Sequence, residues 1–177
     1  TIRELVLTKL RFFDERRVDA EPRTGKRGGA FCAPVAQDAS PFVLMNFTDR
    51  MDDVMTLAHE LGHGVHQVLA AKQGPLLSQT PLTLAETASV FGEMLTFRAL
   101  LAEAKDAKEK KAMLASKVED MINTVVRQIA FYTFERKVHT ARAQGELTGD
   151  SLNEIWMSVQ AESLGPSINL TDGYEVY

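Results

Sequence analysis

The sequence predicts a mainly helical domain with a small β-hairpin or sheet, an α+β fold. Three observations carry this. Apolar residues recur at spacings of three and four through residues 51–69, 84–97 and 113–138. Only two short runs, Ala30–Val35 and Pro41–Phe47, are strand-like. Gly or Gly-Pro closes each of three helical stretches, at Gly74-Pro75, Gly145 and Gly165-Pro166.

The elements follow in order. Residues 2–17 mix Ile2, Leu5, Val6, Leu10, Phe12 and Phe13 with Arg and Glu and read as a helix. Glu21 to Gly29 is basic and turn-like. Its Arg23, Lys26 and Arg27 suggest either an anion site or a solvated loop, and the Gly-x-x-Gly-Gly spacing matches no phosphate loop, which favours the latter. The two strands are joined by a polar turn, Gln37-Asp38-Ala39-Ser40. A helix over about 50–73 follows, capped by Thr48 or Asp49. The next begins at Thr80-Pro81, as N-cap and first helical residue, and carries Leu84, Val90, Phe91, Met94, Leu95 and Phe97. The charged run Lys105–Lys111 opens a long helix over 106–144. The last helix spans 150–164, capped by Thr148 or Asp150 and docked through Ile155 and Trp156. With 177 residues, 45% of them hydrophobic, one domain with a sizeable core is expected.

The chemistry lies in His59-Glu60-Leu61-Gly62-His63, an H-E-x-x-H pattern. Residues four apart on a helix lie one turn along and nearly on one face, so both imidazoles can reach one metal ion. Glu60, about 100° round from His59, is close enough to act as general base for a metal-activated water without ligating. A zinc site of this kind needs a third protein ligand. Glu86 and Glu93, seven apart among apolar neighbours, are expected on the buried side of their helix, where a carboxylate is costly unless paired or metal-bound. Glu86 is the candidate third ligand, with an ordinary salt bridge as the alternative. Glu93 is the candidate orienting group for a ligand histidine, or else a structural ion pair. His66 falls too close after His63 to match the longer three-histidine spacing, and reads as a cleft-lining or orienting residue. His139 reads as a surface or core-bridging histidine. Gly62 and Gly64 each cost the helix about 1 kcal/mol relative to Ala. Their use is therefore close approach of a neighbouring helix or of substrate.

His59–His63, followed by Leu84-Ala85-Glu86-Thr87-Ala88-Ser89-Val90-Phe91-Gly92-Glu93, resembles oligoendopeptidase F and its relatives, which include the thimet oligopeptidases. Asp19–Cys32 resembles that family's segment before the catalytic helix, and the likeness runs from about residue 10 to the end of the chain. The resemblance implies a zincin-like catalytic core, with the H-E-x-x-H helix packed on a Glu-bearing helix. It implies one Zn²⁺ per chain held by His59, His63 and Glu86, with Glu60 as base. It implies short oligopeptide substrates, and a Gly28–Phe31 strand flanking the cleft, whose edge can pair with an extended peptide. Family members are several times longer, with a helical N-terminal region roofing a channel and a C-terminal run rich in His and Tyr. On that comparison residues 1–177 are a partial catalytic domain of a larger oligopeptidase, and self-association through newly exposed apolar surface is expected.

Composition adds exclusions. A net charge of −4 argues against nucleic acid as a partner. No apolar run is long enough to span a membrane. The lone Cys32 excludes an internal disulfide framework and suggests a reducing, cytoplasmic setting. The competing function is a non-catalytic, metal-binding helical fragment or interaction module; the intact Glu60 argues against it.

Overall fold

The computed structural model describes residues 2–36, 39–171 and 173–174, with side chains from residue 8 onward. The described residues form two compact units, 1–104 and 105–177.

In the first unit, α1 (Ile2–Asp14) leads into β1 (Val18–Asp19), β2 (Phe31–Ala33) and β3 (Phe42–Leu44). The helix ends three residues earlier than the periodicity predicts, and Arg16 takes a positive φ of 53° in the turn that follows. Among the described residues the sheet order is β1-β3-β2, with β1 parallel and β2 antiparallel to β3. β1 is two residues long, too short to leave a periodic signal. Both predicted strands are present but shorter, and Gln37 and Asp38 of the predicted turn lie outside the described residues. The basic loop is tied down rather than open. Arg23 donates twice to the Asp19 carboxylate at 2.7 Å, and Lys26 Nζ donates to the same group at 3.0 Å. These cations hold the Asp19 carboxyl well below the usual carboxylate range.

α2 (Met51–Ala70) continues into a 3₁₀ turn, Ala71–Gln73, ending at Gly74. Its start is fixed by neither predicted cap. Asp53 accepts from the Thr48 amide and hydroxyl and from the Arg50 amide, satisfying three donors with one carboxylate oxygen. The core of this unit joins Phe12, Val43 and Leu61, with Val18, Cys32 and Leu57 packed around them. α3 (Leu82–Ala85) and α4 (Thr87–Glu103) replace the single predicted helix, which breaks at Glu86.

α2 and α4 pack with almost no side chain between them. A Cβ on Gly62 would lie 2.5 Å from the Ala88 carbonyl oxygen and 2.6 Å from Ser89 Cα. One on Gly92 would lie 2.7 Å from the Ala58 oxygen. One on Gly64 would meet the Phe12 ring at 2.4 Å, so α1 uses the other glycine.

In the second unit, α5 (Ala107–Arg142) is capped by Asp106, which accepts from the Glu109 amide at 2.8 Å. α6 (Gly149–Leu164) is capped by Thr148. Ala130, Phe134 and Val159 form their core with Val138, Ile155 and Trp156. α5 has a second apolar face, about half a turn round. There Leu114, Val118, Ile122, Val125 and Ile129 are exposed. No described helix is long and apolar enough to cross a membrane.

Candidate metal centre

α2 presents His59 and His63 one turn apart, with Nε2 atoms 3.1 Å apart and rings nearly perpendicular. Glu86, at the break between α3 and α4, brings its Oε2 to 3.1 Å from His59 Nε2 and 3.4 Å from His63 Nε2. Tetrahedral donors at bond lengths of about 2.0–2.1 Å lie roughly 3.3 Å apart, so this triangle fits a zinc-sized ion. Two imidazoles and one carboxylate, with a fourth position free, are also the donor set that catalytic zinc takes. Among the described residues these three form the group able to hold a metal ion.

The other nitrogen of His59 is engaged. Its Nδ1 lies 2.6 Å from Glu93 Oε1, an acceptor that fixes the proton on Nδ1 and leaves the Nε2 lone pair facing the cluster. That hydrogen bond raises the His59 pKa, against the opposing effect of burial, and the charges of Glu86, Glu93 and Glu60 add to it. His63 is shifted down, first by burial; the Glu86 charge opposes this, while His59 and His66 push the same way as burial. The Ala85 carbonyl hydrogen-bonds the His63 ring.

Glu60 is only 6% exposed. Burial raises its pKa, with the His59 charge and the Cys32 backbone amide acting in the opposite direction. Gln67 reaches the same strand, donating from Nε2 to the Cys32 carbonyl at 3.3 Å. His66 Nε2 is hydrogen-bonded at 3.2 Å to Thr80 Oγ1. His139 is exposed in the last turn of α5 and is not among the clustered donors.

One expectation is corrected. Glu86 is not on a buried helix face: its side chain is 60% exposed. The reason is the helix break, which puts Glu86 at the N-cap of α4, with a backbone of φ −87° and ψ −3°. Sequence reasoning also missed Ser89. It is completely buried, and its Oγ donates to Glu86 Oε2 at 2.7 Å, with the Glu86 carbonyl oxygen also near at 3.0 Å. The available signal was a serine three residues after a candidate ligand and four before Glu93, and so on the same helical face as both glutamates.

Fold and cluster together define a helical scaffold with a centre of two histidines and one glutamate suited to a metal. The sequence profile of Peptidase family M3 matches residues 5–176. Oligoendopeptidase F (chromosomal) of Lactococcus lactis subsp. cremoris is 37% identical over 157 residues, covering 88% of this chain and 26% of its own. A crystal structure of a candidate peptidase from Chlamydophila abortus superposes with a TM-score of 0.66 at 32% identity, over 97% of this chain and 29% of that one. A candidate oligoendopeptidase F from Bacillus anthracis str. Ames shares the fold, with a TM-score of 0.70 at 18% identity, over 86% of this chain and 27% of that one. The chain belongs to Peptidase family M3. It spans about a quarter of the length of the relatives it matches.

Proposed function

We propose that this chain carries the catalytic core of a zinc-dependent endopeptidase that hydrolyses short oligopeptides. His59, His63 and Glu86 hold one Zn²⁺, and Glu60 is the general base. The observation that carries this reading is the donor triangle, with edges of 3.1, 3.1 and 3.4 Å. When bound, zinc supplies a Lewis acid that polarises a carbonyl and acidifies water. Glu60 takes the proton of the attacking water and returns it to the leaving amine. Its burial raises its proton affinity above that of a free carboxylate, which favours a base that accepts and then returns a proton. Glu93 holds the ligand tautomer of His59.

The sheet supports a peptide substrate. Val43 donates its amide to Arg17 of the β1 side, so Val43 faces β1 and its partner Cys32 points away from β3. The outward amide and carbonyl of Cys32 are already taken by Glu60 and Gln67. By alternation Ala30 is the next outward-facing residue, and an extended peptide would pair with the edge there. In this reading both compact units belong to one partial catalytic domain of a longer oligopeptidase. The lone Cys32 accords with a reducing, cytoplasmic setting. The exposed apolar face of α5 mediates self-association.

The test combines elemental analysis with turnover of short quenched peptides. About one zinc per wild-type chain, lost in Glu86→Ala, is the expected result. Glu60→Gln should keep its zinc and lose 10²–10⁴-fold in turnover, the usual span of general-base effects. Retained turnover in that variant would overturn the base assignment. No zinc uptake by the wild type would leave the non-catalytic fragment as the better reading.

A further inference from the structure

We infer that Ser89 is a positioning residue for the metal centre: its hydroxyl holds the Glu86 carboxylate where it completes the ligand set. This rests on the zinc reading of His59, His63 and Glu86. Glu86 is the weak corner of the triangle. Its side chain is 60% exposed, whereas those of His59 and His63 are 27% and 21% exposed. An exposed glutamate with several rotatable bonds samples many rotamers, and each ligand-competent encounter must select one. The imidazoles are already steered, His59 by Glu93 and His63 by the Ala85 carbonyl.

Ser89 supplies the equivalent for the carboxylate. Its Oγ lies 2.7 Å from Glu86 Oε2, the same oxygen that faces both Nε2 atoms. A hydroxyl carries one proton, and a carboxylate is a stronger acceptor than the Glu86 carbonyl at 3.0 Å, so the donation goes to Oε2. The hydroxyl itself is fixed. Ser89 is fully buried, and its Cα lies against Gly62, in the turn of α2 between the two histidines. The helix that carries the histidines therefore sets the position of the group that aims the glutamate. Alanine would fill the same space without burying a hydroxyl, so helix packing alone does not call for serine here.

The experiment measures zinc affinity by competition with a chromophoric chelator, using the full 177-residue chain, with apo-protein melting in parallel. Ser89→Ala should bind zinc 10–100-fold more weakly, as loss of groups that orient ligands does elsewhere. In a Glu86→Ala background the same substitution should have no further effect, because its route runs through Glu86. A purely structural serine would lower the apo melting temperature and leave the affinity ratio at one, which overturns the inference. If Ser89→Ala does not fold, Ser89→Gly also removes the hydroxyl, adds no bulk against Gly62, and should likewise bind zinc more weakly than wild type. Equal affinity in that variant overturns the inference too. Failure of the wild type to take up zinc overturns the metal centre and the role of Ser89 with it. Wild-type uptake with an unaffected Ser89 variant removes Ser89 alone.

Discussion

Replacing Gly62 by alanine should damage the metal centre more than the fold. The added Cβ would sit 2.5 Å from the Ala88 carbonyl oxygen, 2.6 Å from Ser89 Cα and 2.9 Å from the Ala88 carbonyl carbon. All three are backbone atoms, so no rotamer change relieves them. Restoring an ordinary contact of about 3.4 Å separates the helices by about 0.9 Å. Overpacking of this kind costs about 1–3 kcal/mol. Alanine recovers about 1 kcal/mol of helix propensity, leaving a net destabilisation of roughly 0–2 kcal/mol. The effect on the donors is larger. Glu86 and Glu93 ride on the displaced element, while His59 and His63 stay on α2. A shift of that size would stretch the 3.1 and 3.4 Å edges to Glu86 well past the roughly 3.3 Å that a zinc ion spans. Zinc affinity should fall by 10–100-fold or more, with only a modest change in apo melting temperature. Chelator competition and thermal melts on the same preparation read both quantities. A Gly62→Ala protein that binds zinc within threefold of wild type would falsify the argument that helix approach sets the site.

Two further predictions concern other parts of the molecule. The Cys32 thiol is pushed up to about 12, first by burial and then by the Glu60 charge. At pH 8 its thiolate fraction should be on the order of a thousandfold below that of an ordinary thiol, so iodoacetamide should label the native chain far more slowly than the denatured one. Because the folded pKa is raised, the associated stability is complete below the unfolded thiol pKa of about 8.5 and is lost as pH rises from there towards 12. Equal labelling rates in native and denatured protein would contradict this. The exposed face of α5 should make the chain self-associate, giving a sedimentation coefficient that rises with concentration and stops rising in Val118→Lys/Ile122→Lys. A concentration-independent monomer in the wild type would sink that idea.

The sequence was most legible where periodicity was long. The apolar repeat around His59 and His63 implied a helix with both imidazoles on one side, and their Nε2 atoms lie 3.1 Å apart. The cap at Thr148 is local chemistry, and the chain uses it; the Asp106 cap of α5 was not read from its charged run. Legibility failed where tertiary packing decides. No Pro or Gly stands at Glu86 to mark the helix break, and Leu84, Ala85, Glu86 and Ala88 around it are good helix formers. The exposure of Glu86, Val90, Phe91 and Leu95 contradicts the apolar pattern around them, since a pattern names a sticky face without saying what covers it. β1 was invisible because two residues carry no period. Asp53 took the capping role from Thr48 and Asp49 because a carboxylate one turn inside the helix can reach back to several amides at once.

The route between the two helices of the centre has a consequence of its own. From His63 the chain runs through the rest of α2, the 3₁₀ turn, Gly74 and α3 before returning at Glu86. A metal ion shared by these two points, as proposed, would make a non-covalent staple across a short stretch of chain. For a loop of about 23 residues the chain-entropy estimate for a permanent cross-link is roughly 3 kcal/mol. A reversible metal staple stabilises by RT ln(1 + [metal]/Kd), so its effect grows with the logarithm of free metal above the Kd. The helical hairpin then becomes a unit whose resistance to unfolding is set by available metal, as well as by the glycine-to-backbone contact that closes it.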